Sequence, residues 1–265
     1  MTETNTSGII TAAADIIAGA FNALPKRVCN QHKFSDYADY LHENLPAQAE
    51  LDLQREKPLN PAPLVSVAIA CSGASRAAVR STLEALGKQT YANFEVCVVS
   101  ELAQAGLTDY EGIPKFRLVL FNGTAHEQLK AAEKMLNGAY FLQLLPGDLP
   151  APDALHMLVL QTHSNPEAEV VFADEDSVID GIRQNPIFKP DYGRDTLRSF
   201  NSIGRPMLVS KRVHTAVGGF RGSTPAELWA YCIECASAAK QVIHIARIGL
   251  TVIRDCDGSE IPCTD

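Results

Sequence analysis

The segment PLVSVAIACSGASRAAVRSTLEALGKQTYANFEVCVVSE, residues 63–101, decides the fold. Two continuous apolar runs within it, residues 64–70 and 94–100, have the length and composition of strands that are covered on both faces. Between them, residues 75–89 repeat apolar side chains at helical spacing, and Ser75 is a suitable N-cap for that helix. A strand, a helix and a second strand in this order predict two parallel strands joined by a helical crossover.

The same alternation continues along the chain. Apolar runs predict strands at residues 116–121, 139–145 and 168–173. Helical spacing recurs in AHEQLKAAEKML and in PDALHMLVLQTHS, where Pro152 suits the first helical turn. We therefore predict an α/β fold with a doubly wound, mostly parallel sheet and flanking helices. Because ligands of such sheets bind at the carboxyl ends of the strands, the residues that follow each strand are the candidates for a site.

The composition argues against two kinds of partner. The chain has 265 residues, a net charge of −8 and a sequence pI of about 5.4. It has no block of lysine and arginine that would bind a nucleic-acid backbone. Its longest apolar stretches are shorter than the ~20 residues that a membrane-spanning helix needs. We therefore expect no nucleic acid among its partners and no membrane span.

Three segments are expected along the chain. Residues 1–60 are predicted to form a helical N-terminal extension, which includes an amphipathic helix over residues 9–24. Residues 61–254 are predicted to form the α/β domain, and residues 255–265 a polar C-terminal tail. The linker LNPAP separates the extension from the first predicted strand, and the pattern changes there from sparse to continuous apolar runs.

Seven cysteines are an odd number, and their positions favour free thiols. The N-terminus lacks the cation and the uninterrupted apolar run of a secretion signal, so we expect a cytoplasmic protein with reduced cysteines. Cys232 and Cys235 form a CxxC, and Cys256 and Cys263 follow it. These four leave a zinc site as an alternative to free thiols.

Several spaced motifs occur in a consistent order. They are PLVSVAIAC, LEALGKQTYANFEVCVVSE, NGAYFLQLLPGDLPAPDAL, FADEDSVIDGIRQNPIFKPDYGRDTLRSFN and GGFRG. This order resembles glycosyltransferase family 2, which has the GT-A fold, over roughly residues 34–254. No GxGxxG and no GxxxxGK[ST] accompanies the predicted strands, so neither a dinucleotide fingerprint nor a P-loop competes with this resemblance.

The resemblance implies a reaction with defined requirements. A nucleotide-diphosphate sugar binds at the strand ends, and a hydroxyl of a glycan or saccharide acceptor displaces the nucleotide with inversion. A divalent cation, Mg²⁺ or Mn²⁺, neutralises the leaving diphosphate and is held by carboxylates. A further carboxylate within hydrogen-bond reach removes the proton of the acceptor hydroxyl.

The positions that the resemblance assigns to the cation are altered. The family has D-x-D-D before the helix that begins here with APDAL, and alignment on that helix places Leu145, Pro146, Gly147 and Asp148 at these positions. Leucine and glycine offer no side-chain oxygen, so Asp148 is the residual candidate for a metal or ribose contact. Its alternative role is that of a turn-forming residue after proline and glycine.

Three candidates for nucleotide-sugar contacts follow the first two strands. Ser72 follows the first strand, in ACSGAS, where the family usually has a turn of a different sequence. Ser100 and Glu101 follow the second strand, where the family has a pair of acids, one of which contacts the nucleotide base. The resemblance therefore assigns the nucleotide to this end of the sheet.

The catalytic-base region also departs from the family. Its acid positions after GGFRG fall on Leu228 and Ala230, and Glu227 lies one residue away. Glu227 is therefore a displaced candidate for the catalytic base. Its alternative role is electrostatic, since an acid after Pro225 in a first helical turn interacts favourably with the helix dipole.

Acids and cations in the second half of the chain are further candidates. The densest acidic cluster at a strand end is Asp174, Glu175 and Asp176. It is a candidate for acceptor contacts or for replacement metal ligands, and its alternative is a solvated acidic turn. Three cations could hold phosphates in place of a metal, or could pair with surface acids. They are Arg183, Lys189 and Arg205.

Two classes of function remain open. The first is a family-2-like glycosyltransferase that transfers a sugar from a nucleotide-diphosphate sugar to a glycan or saccharide and has an atypical metal site. The second is a catalytically inactive relative, a pseudo-glycosyltransferase that binds a glycan, a nucleotide or a partner glycosyltransferase. Fold alone does not decide between them, because function depends on the residues of the site.

Overall fold

The structure is a computed structural model that describes residues 37–101 and 113–254. Contacts divide the chain into two compact units, residues 1–43 and 44–265. In the first unit, the rings of Tyr37 and Tyr40 stack on the described helix with their centroids 5.7 Å apart. The predicted helix over residues 9–24 and the predicted tail lie outside the described residues. No helix in the described ranges is long and apolar enough to cross a membrane.

The described residues form eight helices and nine strands. The helices are α1 (Tyr37–Asn44), α2 (Gln48–Glu56), α3 (Arg76–Leu86), α4 (Ala125–Glu133), α5 (Ala154–Ser164), α6 (Arg194–Ser199), α7 (Lys211–Ala216) and α8 (Pro225–Ala238). The strands are β1 (Val65–Ala70), β2 (Phe94–Ser100), β3 (Phe116–Leu120), β4 (Tyr140–Leu144), β5 (Asp148–Pro150), β6 (Ala168–Ile179), β7 (Ile182–Ile187), β8 (Met207–Ser210) and β9 (Gln241–Ile253). All five strands predicted from apolar runs are present.

The nine strands of the described residues form one sheet in the order β3-β2-β1-β4-β8-β6-β9-β5, with β7 paired to β6. Pairing is parallel from β3 to β4 and between β6 and β9, and antiparallel on both sides of β8. Six of these nine strands therefore run in one direction, while β5, β7 and β8 run in the other. This arrangement confirms the predicted α/β class with a mostly parallel sheet.

The apolar core lies on both faces of the sheet, as a doubly wound fold requires. Val65, Val67 and Ile69 of β1 face one cluster, which includes the apolar sides of α3 and α5. Ala68 and Ala70 of the same strand face the other cluster, which includes α4 and α8. Because successive side chains of a strand point to opposite faces, the continuous apolar run of β1 is needed to cover both.

Two helix starts show how local sequence sets the elements. Ser75 caps α3 as predicted, since its side chain accepts a hydrogen bond of 3.2 Å from the amide of Ala78. Helix α5 begins at Ala154, two residues after the predicted start at Pro152. The correction has a physical reason: the carboxylate of Asp153 does not cap the helix and instead pairs with Arg247 at 3.0 Å.

We expect Leu83→Ala to lower the free energy of unfolding by about 2–5 kcal/mol, because it removes a fully buried side chain from the cluster between α3 and the sheet. Denaturant unfolding measures this change. The control is Arg76→Ala at the exposed start of the same helix, which should stay within about 0.5 kcal/mol of the wild type. Equal effects of the two substitutions would contradict this packing.

Candidate functional site

A cavity of about 360 Å³ lies at the carboxyl ends of β1 and β4. Its wall combines the residues after β1, the first turns of α3, the turn after β4 and the end of β9. Two predicted site residues, Ser72 and Asp148, contribute to this wall. The others are Ala70, Ser75, Ala77, Ala78, Ser81, Leu145, Pro146, Gly147, Ser223, Val252 and Ile253. The lining is therefore mostly small, with hydroxyl groups and one carboxylate.

The turn after β4 is held in place by its backbone. The amide of Gly147 donates to Thr82 Oγ1 at 2.9 Å and to the carbonyl of Ala78 at 3.2 Å, both on α3. Its carbonyl accepts a hydrogen bond of 3.1 Å from the amide of Ile253. Gly147 has a φ of +92°, in the region where side chains other than glycine are strained. This conformation explains why a glycine suits the second of the two expected ligand positions.

Asp148 is buried, with 1% of its surface exposed, and its charge is neutralised within the protein. Its Oδ2 accepts a hydrogen bond of 2.8 Å from the amide of Leu145. Arg205 lies against both carboxylate oxygens, with Nε 3.0 Å from Oδ2 and a terminal nitrogen 3.2 Å from Oδ1. The terminal nitrogen donates a hydrogen bond to Oδ1, while the Nε contact is an ion pair without hydrogen-bond alignment.

The residues at this turn do not fit a divalent cation. Mg²⁺ and Mn²⁺ are held by carboxylate and other oxygen ligands. Leu145 and Gly147 have no side-chain oxygen, and both oxygens of Asp148 already face Arg205. Within residues 37–101 and 113–254, no group of three or more histidine, cysteine, aspartate or glutamate side chains is placed to hold a metal ion. The expected residual metal role of Asp148 therefore has no support from its surroundings.

The acidic cluster on β6 is buried rather than solvated at two of its three positions. Asp174 Oδ1 accepts a hydrogen bond of 2.9 Å from the amide of Lys189 and lies 2.8 Å from Nε2 of His244. Asp176 pairs with Arg183, with Nε 2.8 Å from Oδ2. Asp174 and Asp176 are 2% and 1% exposed. Each therefore binds a neighbouring element of the same domain.

Lys189 is the buried partner of Glu175. Its Nζ donates to the carbonyls of Ala173 at 2.7 Å and Arg205 at 2.6 Å and lies 3.0 Å from Glu175 Oε2. The amide of Arg205 also donates to Glu175 Oε2 at 3.3 Å. An ammonium group has three donors, so these contacts occupy all of them. Lys189 and Glu175 thus hold the backbone of Arg205, whose side chain pairs with Asp148.

Burial and charge act in opposite directions on this pair. Burial alone would raise the pKa of the Glu175 carboxyl, but the charges of Lys189 and Arg205 outweigh it and hold that pKa below its ordinary value. Burial lowers the pKa of Lys189, and Glu175 opposes this shift. Both groups are charged in the same small space only because each has the other as a partner.

The predicted nucleotide contacts are close to one another. Ser72 Oγ donates to Oε1 of Glu101 at 3.3 Å, which joins the ends of β1 and β2. Glu101 is exposed, and Ser100 is buried. The structure therefore brings Ser72 to the cavity wall with Glu101 beside it, whereas Ser100 is not among the residues that line the cavity.

Glu227 lies in the first turn of α8, after Pro225. Its carboxylate accepts hydrogen bonds from the hydroxyl of Thr224 at 2.7 Å and from the Thr224 amide at 3.1 Å, and Thr224 in turn accepts from the Glu227 amide. This is a capping box. Burial would raise the pKa of Glu227, but the hydrogen bonds from Thr224 outweigh it and lower the pKa. Ser223, directly before Thr224, lines the cavity.

Cys232 and Cys235 are free, buried thiols on α8. Burial raises the pKa of Cys232 to about 12 and raises that of Cys235 further. Cys256 and Cys263 lie outside the described residues. For Cys232 and Cys235, the two described members of the set, burial therefore favours core thiols.

Sequence reasoning named Arg205 only as one of three cations and did not connect it with Asp148. The two residues are 57 positions apart, and neither lies in a recognisable motif with the other. His244, which contacts Asp174 from β9, was not singled out at all. The sequence around a charged residue at a strand end does not indicate its ion-pair partner when that partner lies on a loop far along the chain.

No protein-family profile matches the chain. The chain is 30% identical over 199 residues to "Uncharacterized protein y4gI" of Sinorhizobium fredii, covering 70% of this chain and 22% of that protein. It is 24% identical over 221 residues to "O-antigen biosynthesis protein RfbC" of Myxococcus xanthus, covering 80% of this chain and 17% of that protein. The chain thus spans about a fifth of the length of these relatives.

Among solved structures, the chain is similar to TarS 1–349 of S. aureus, with a TM-score of 0.56 and 15% identity over 71% of this chain and 60% of that chain. The same segment of TarS in complex with UDP-GlcNAc gives a TM-score of 0.55 and 16% identity over 72% of this chain and 58% of that chain. These likenesses confirm the GT-A glycosyltransferase fold. Membership of family 2 stays a prediction.

We expect the stability difference between the wild type and Glu175→Gln to shrink as the pH falls below 4.5, the ordinary pKa of the carboxyl. The folded-state pKa is lower, so the contribution of the charged form is complete above the unfolded value and is lost as the pH falls through the folded value. Denaturant unfolding between pH 7 and pH 3 measures it. Glu84→Gln, an exposed acid paired with Arg80, is the control and should show a small, flat difference. A constant difference for Glu175→Gln would contradict the assigned ion pair.

Proposed function

We propose that this chain is a glycosyltransferase domain that binds a nucleotide-diphosphate sugar in the 360 Å³ cavity and transfers the sugar to a saccharide acceptor without a cation held by a DxD motif. The observation that carries the proposal is the position of the cavity, at the carboxyl ends of β1 and β4 in a GT-A fold. The names of two similar proteins support it: RfbC is an O-antigen biosynthesis protein, and TarS has a solved structure in complex with UDP-GlcNAc.

The lining of the cavity suits a nucleoside. Serine hydroxyls at positions 72, 75 and 81 can both donate and accept hydrogen bonds, as ribose and base edges require. Ala77 and Ala78 leave room against α3, whose N-terminal turn carries a positive partial charge that favours an anion. Glu101 beside Ser72 is the candidate acceptor for a base N–H.

The proposed transfer needs a base for the acceptor. The hydroxyl oxygen of the acceptor forms a bond to the anomeric carbon of the sugar while the bond from that carbon to the diphosphate oxygen breaks. The nucleoside diphosphate leaves with the electron pair, and the hydroxyl proton passes to a carboxylate. Glu227 is the candidate for this carboxylate, because it belongs to the helix turn directly after the cavity residue Ser223.

We propose that the domain acts in the cytoplasm within saccharide assembly, with another glycosyltransferase as its partner class. The cytoplasmic assignment is supported by Cys97, Cys232 and Cys235, which are buried thiols outside any disulfide. The chain spans about a fifth of the length of the two relatives, so the proposal concerns this domain alone.

The second candidate is a pseudo-glycosyltransferase that binds a nucleotide or a glycan without transfer. It is favoured by the state of two candidate carboxylates, Asp148 for the metal or ribose contact and Glu227 for the catalytic base. Asp148 faces Arg205 and the amide of Leu145, and Glu227 closes a capping box with Thr224. Hydrogen bonds that lower the pKa of Glu227 also make it a weaker base. Nucleotide binding is common to both candidates, and turnover separates them.

We expect UDP, GDP or dTDP to bind in the presence of EDTA, with an affinity that Mn²⁺ changes by less than about threefold, since the turn after β4 does not fit a cation. Isothermal titration calorimetry with and without Mn²⁺ measures this. Tight binding that requires Mn²⁺ would contradict the proposal. Ala77→Trp locates the ligand, because it places a large side chain in the cavity from an exposed position of α3. Glu84→Trp, exposed on the same helix, is its control and should bind like the wild type.

We expect the domain to consume a nucleotide-diphosphate sugar when a saccharide acceptor is present, and Glu227→Gln to lower the rate by about 10²–10⁴-fold through loss of the base. The matched control is Glu127→Gln on α4, which closes an equivalent capping box with Thr124 and should not change the rate. Release of nucleoside diphosphate is the measurement. Equal rates for both variants would remove Glu227 from the reaction, and nucleotide binding without any turnover would select the second candidate.

A further inference from the structure

We infer that Arg205 is the diphosphate-binding residue of this site and takes the place of the cation, while Asp148 is a positioning residue that holds the guanidinium beside the cavity. This inference rests on the proposed nucleotide-binding function and names the residue that would recognise the diphosphate. The divalent cation that the resemblance implies does not fit the turn after β4. The positive charge at this turn belongs to Arg205, which pairs with Asp148.

The location of Arg205 follows from its partner. Asp148 lines the cavity, and Arg205 Nε lies 3.0 Å from one of its carboxylate oxygens while a terminal nitrogen lies 3.2 Å from the other. The guanidinium is therefore one hydrogen-bond length behind a cavity-lining group. A ligand that replaces the carboxylate as its partner needs to reach only the position that Asp148 now occupies.

The chemistry of the pair favours this exchange. A guanidinium binds two oxygens of one carboxylate or of one phosphate with similar planar geometry. Its side chain remains charged at any physiological pH, so it can neutralise a diphosphate without a metal.

The backbone of Arg205 is fixed, so the side chain is delivered to one place. Its carbonyl accepts from Lys189 Nζ at 2.6 Å, and its amide donates to Glu175 Oε2 at 3.3 Å. Gly204, before it, has a φ of +55°, and a Cβ there would lie 3.2 Å from Glu175 Oε2. Lys189 and Glu175, which sequence analysis offered as ligand contacts, thus act through Arg205 as its supports.

Charge sets the expected sign of a substitution. In the wild type the charge of Arg205 is balanced by Asp148, so an entering diphosphate meets a like charge and must compete for the guanidinium. Asp148→Asn removes that charge, keeps the shape and keeps an oxygen for the amide of Leu145. If Asp148 instead held a cation, the same substitution would remove the last carboxylate ligand at this turn. The two roles therefore predict opposite changes in affinity.

The test uses the full chain and four proteins: wild type, Asp148→Asn, Asp148→Asn with Arg205→Gln, and the control Asp153→Asn. Asp153 is also a buried acid 3.0 Å from an arginine, Arg247, but does not line the cavity. Arg205→Gln is made only with Asp148→Asn, because alone it would leave a buried carboxylate unpaired. Thermal melting confirms that each variant is folded.

Calorimetry with EDTA and, in parallel, with Mn²⁺ measures UDP, GDP and dTDP against UMP, GMP and dTMP. We expect Asp148→Asn to bind the diphosphates about tenfold more tightly than the wild type, because a like charge beside the phosphates is removed. The double variant should lose this gain and most of the preference for diphosphate over monophosphate. Asp153→Asn should bind as the wild type does.

Two results would overturn the inference while the proposed function stands. In the first, the protein binds nucleotides, but Asp148→Asn leaves their affinity unchanged or weakens it. In the second, the double variant is folded and still prefers diphosphates to monophosphates. Absence of any binding, mono- or diphosphate, in the folded wild type and in folded Asp148→Asn would overturn the proposed function together with this inference.

Discussion

The carboxylate of Asp148 can be buried at the end of β4 only because Arg205 neutralises it. A buried, unpaired carboxylate would be strongly destabilising, and removing one partner of such a pair costs about 3–5 kcal/mol. The amide of Leu145 completes the environment with a hydrogen bond of 2.8 Å. This ion pair therefore adds to the backbone hydrogen bonds of Gly147 in stabilising the turn between β4 and β5.

The second buried ion pair, Glu175 with Lys189, is connected to the first through the backbone of Arg205. Asp148 and Glu175 resemble catalytic or metal-binding acids in the sequence, but in the fold they support Arg205. Their charges are balanced inside the domain by Arg205 and Lys189. In the proposed site, a ligand would therefore compete with Asp148 for one guanidinium, whereas a cation site would coordinate it directly.

The sequence predicted one half of the sheet better than the other. Strands β1 to β4 are mainly apolar, and helices α3 and α4 connect β1 to β2 and β3 to β4, so length and periodicity were sufficient. Strand β7 contains Asn185 and Pro186 and is largely exposed, which is possible at a sheet edge but has no strand pattern. At the site, the order of the motifs predicted that Ser72 and Asp148 follow strands, and both line the cavity. The assignment of positions 145 and 147 to a cation stays a prediction. The partners of Asp148, Asp174 and Glu175 come from loops and strands that only the folded topology brings together.

The positive φ of Gly147 limits how a metal site could be built at this turn. Leu145 is 8% exposed, so an acid there would be desolvated, and any side chain at position 147 would adopt a strained backbone conformation. Two new carboxylates would therefore lower the stability of the domain before a cation could bind. An engineered cation site at this turn needs a change of backbone conformation as well as new acids.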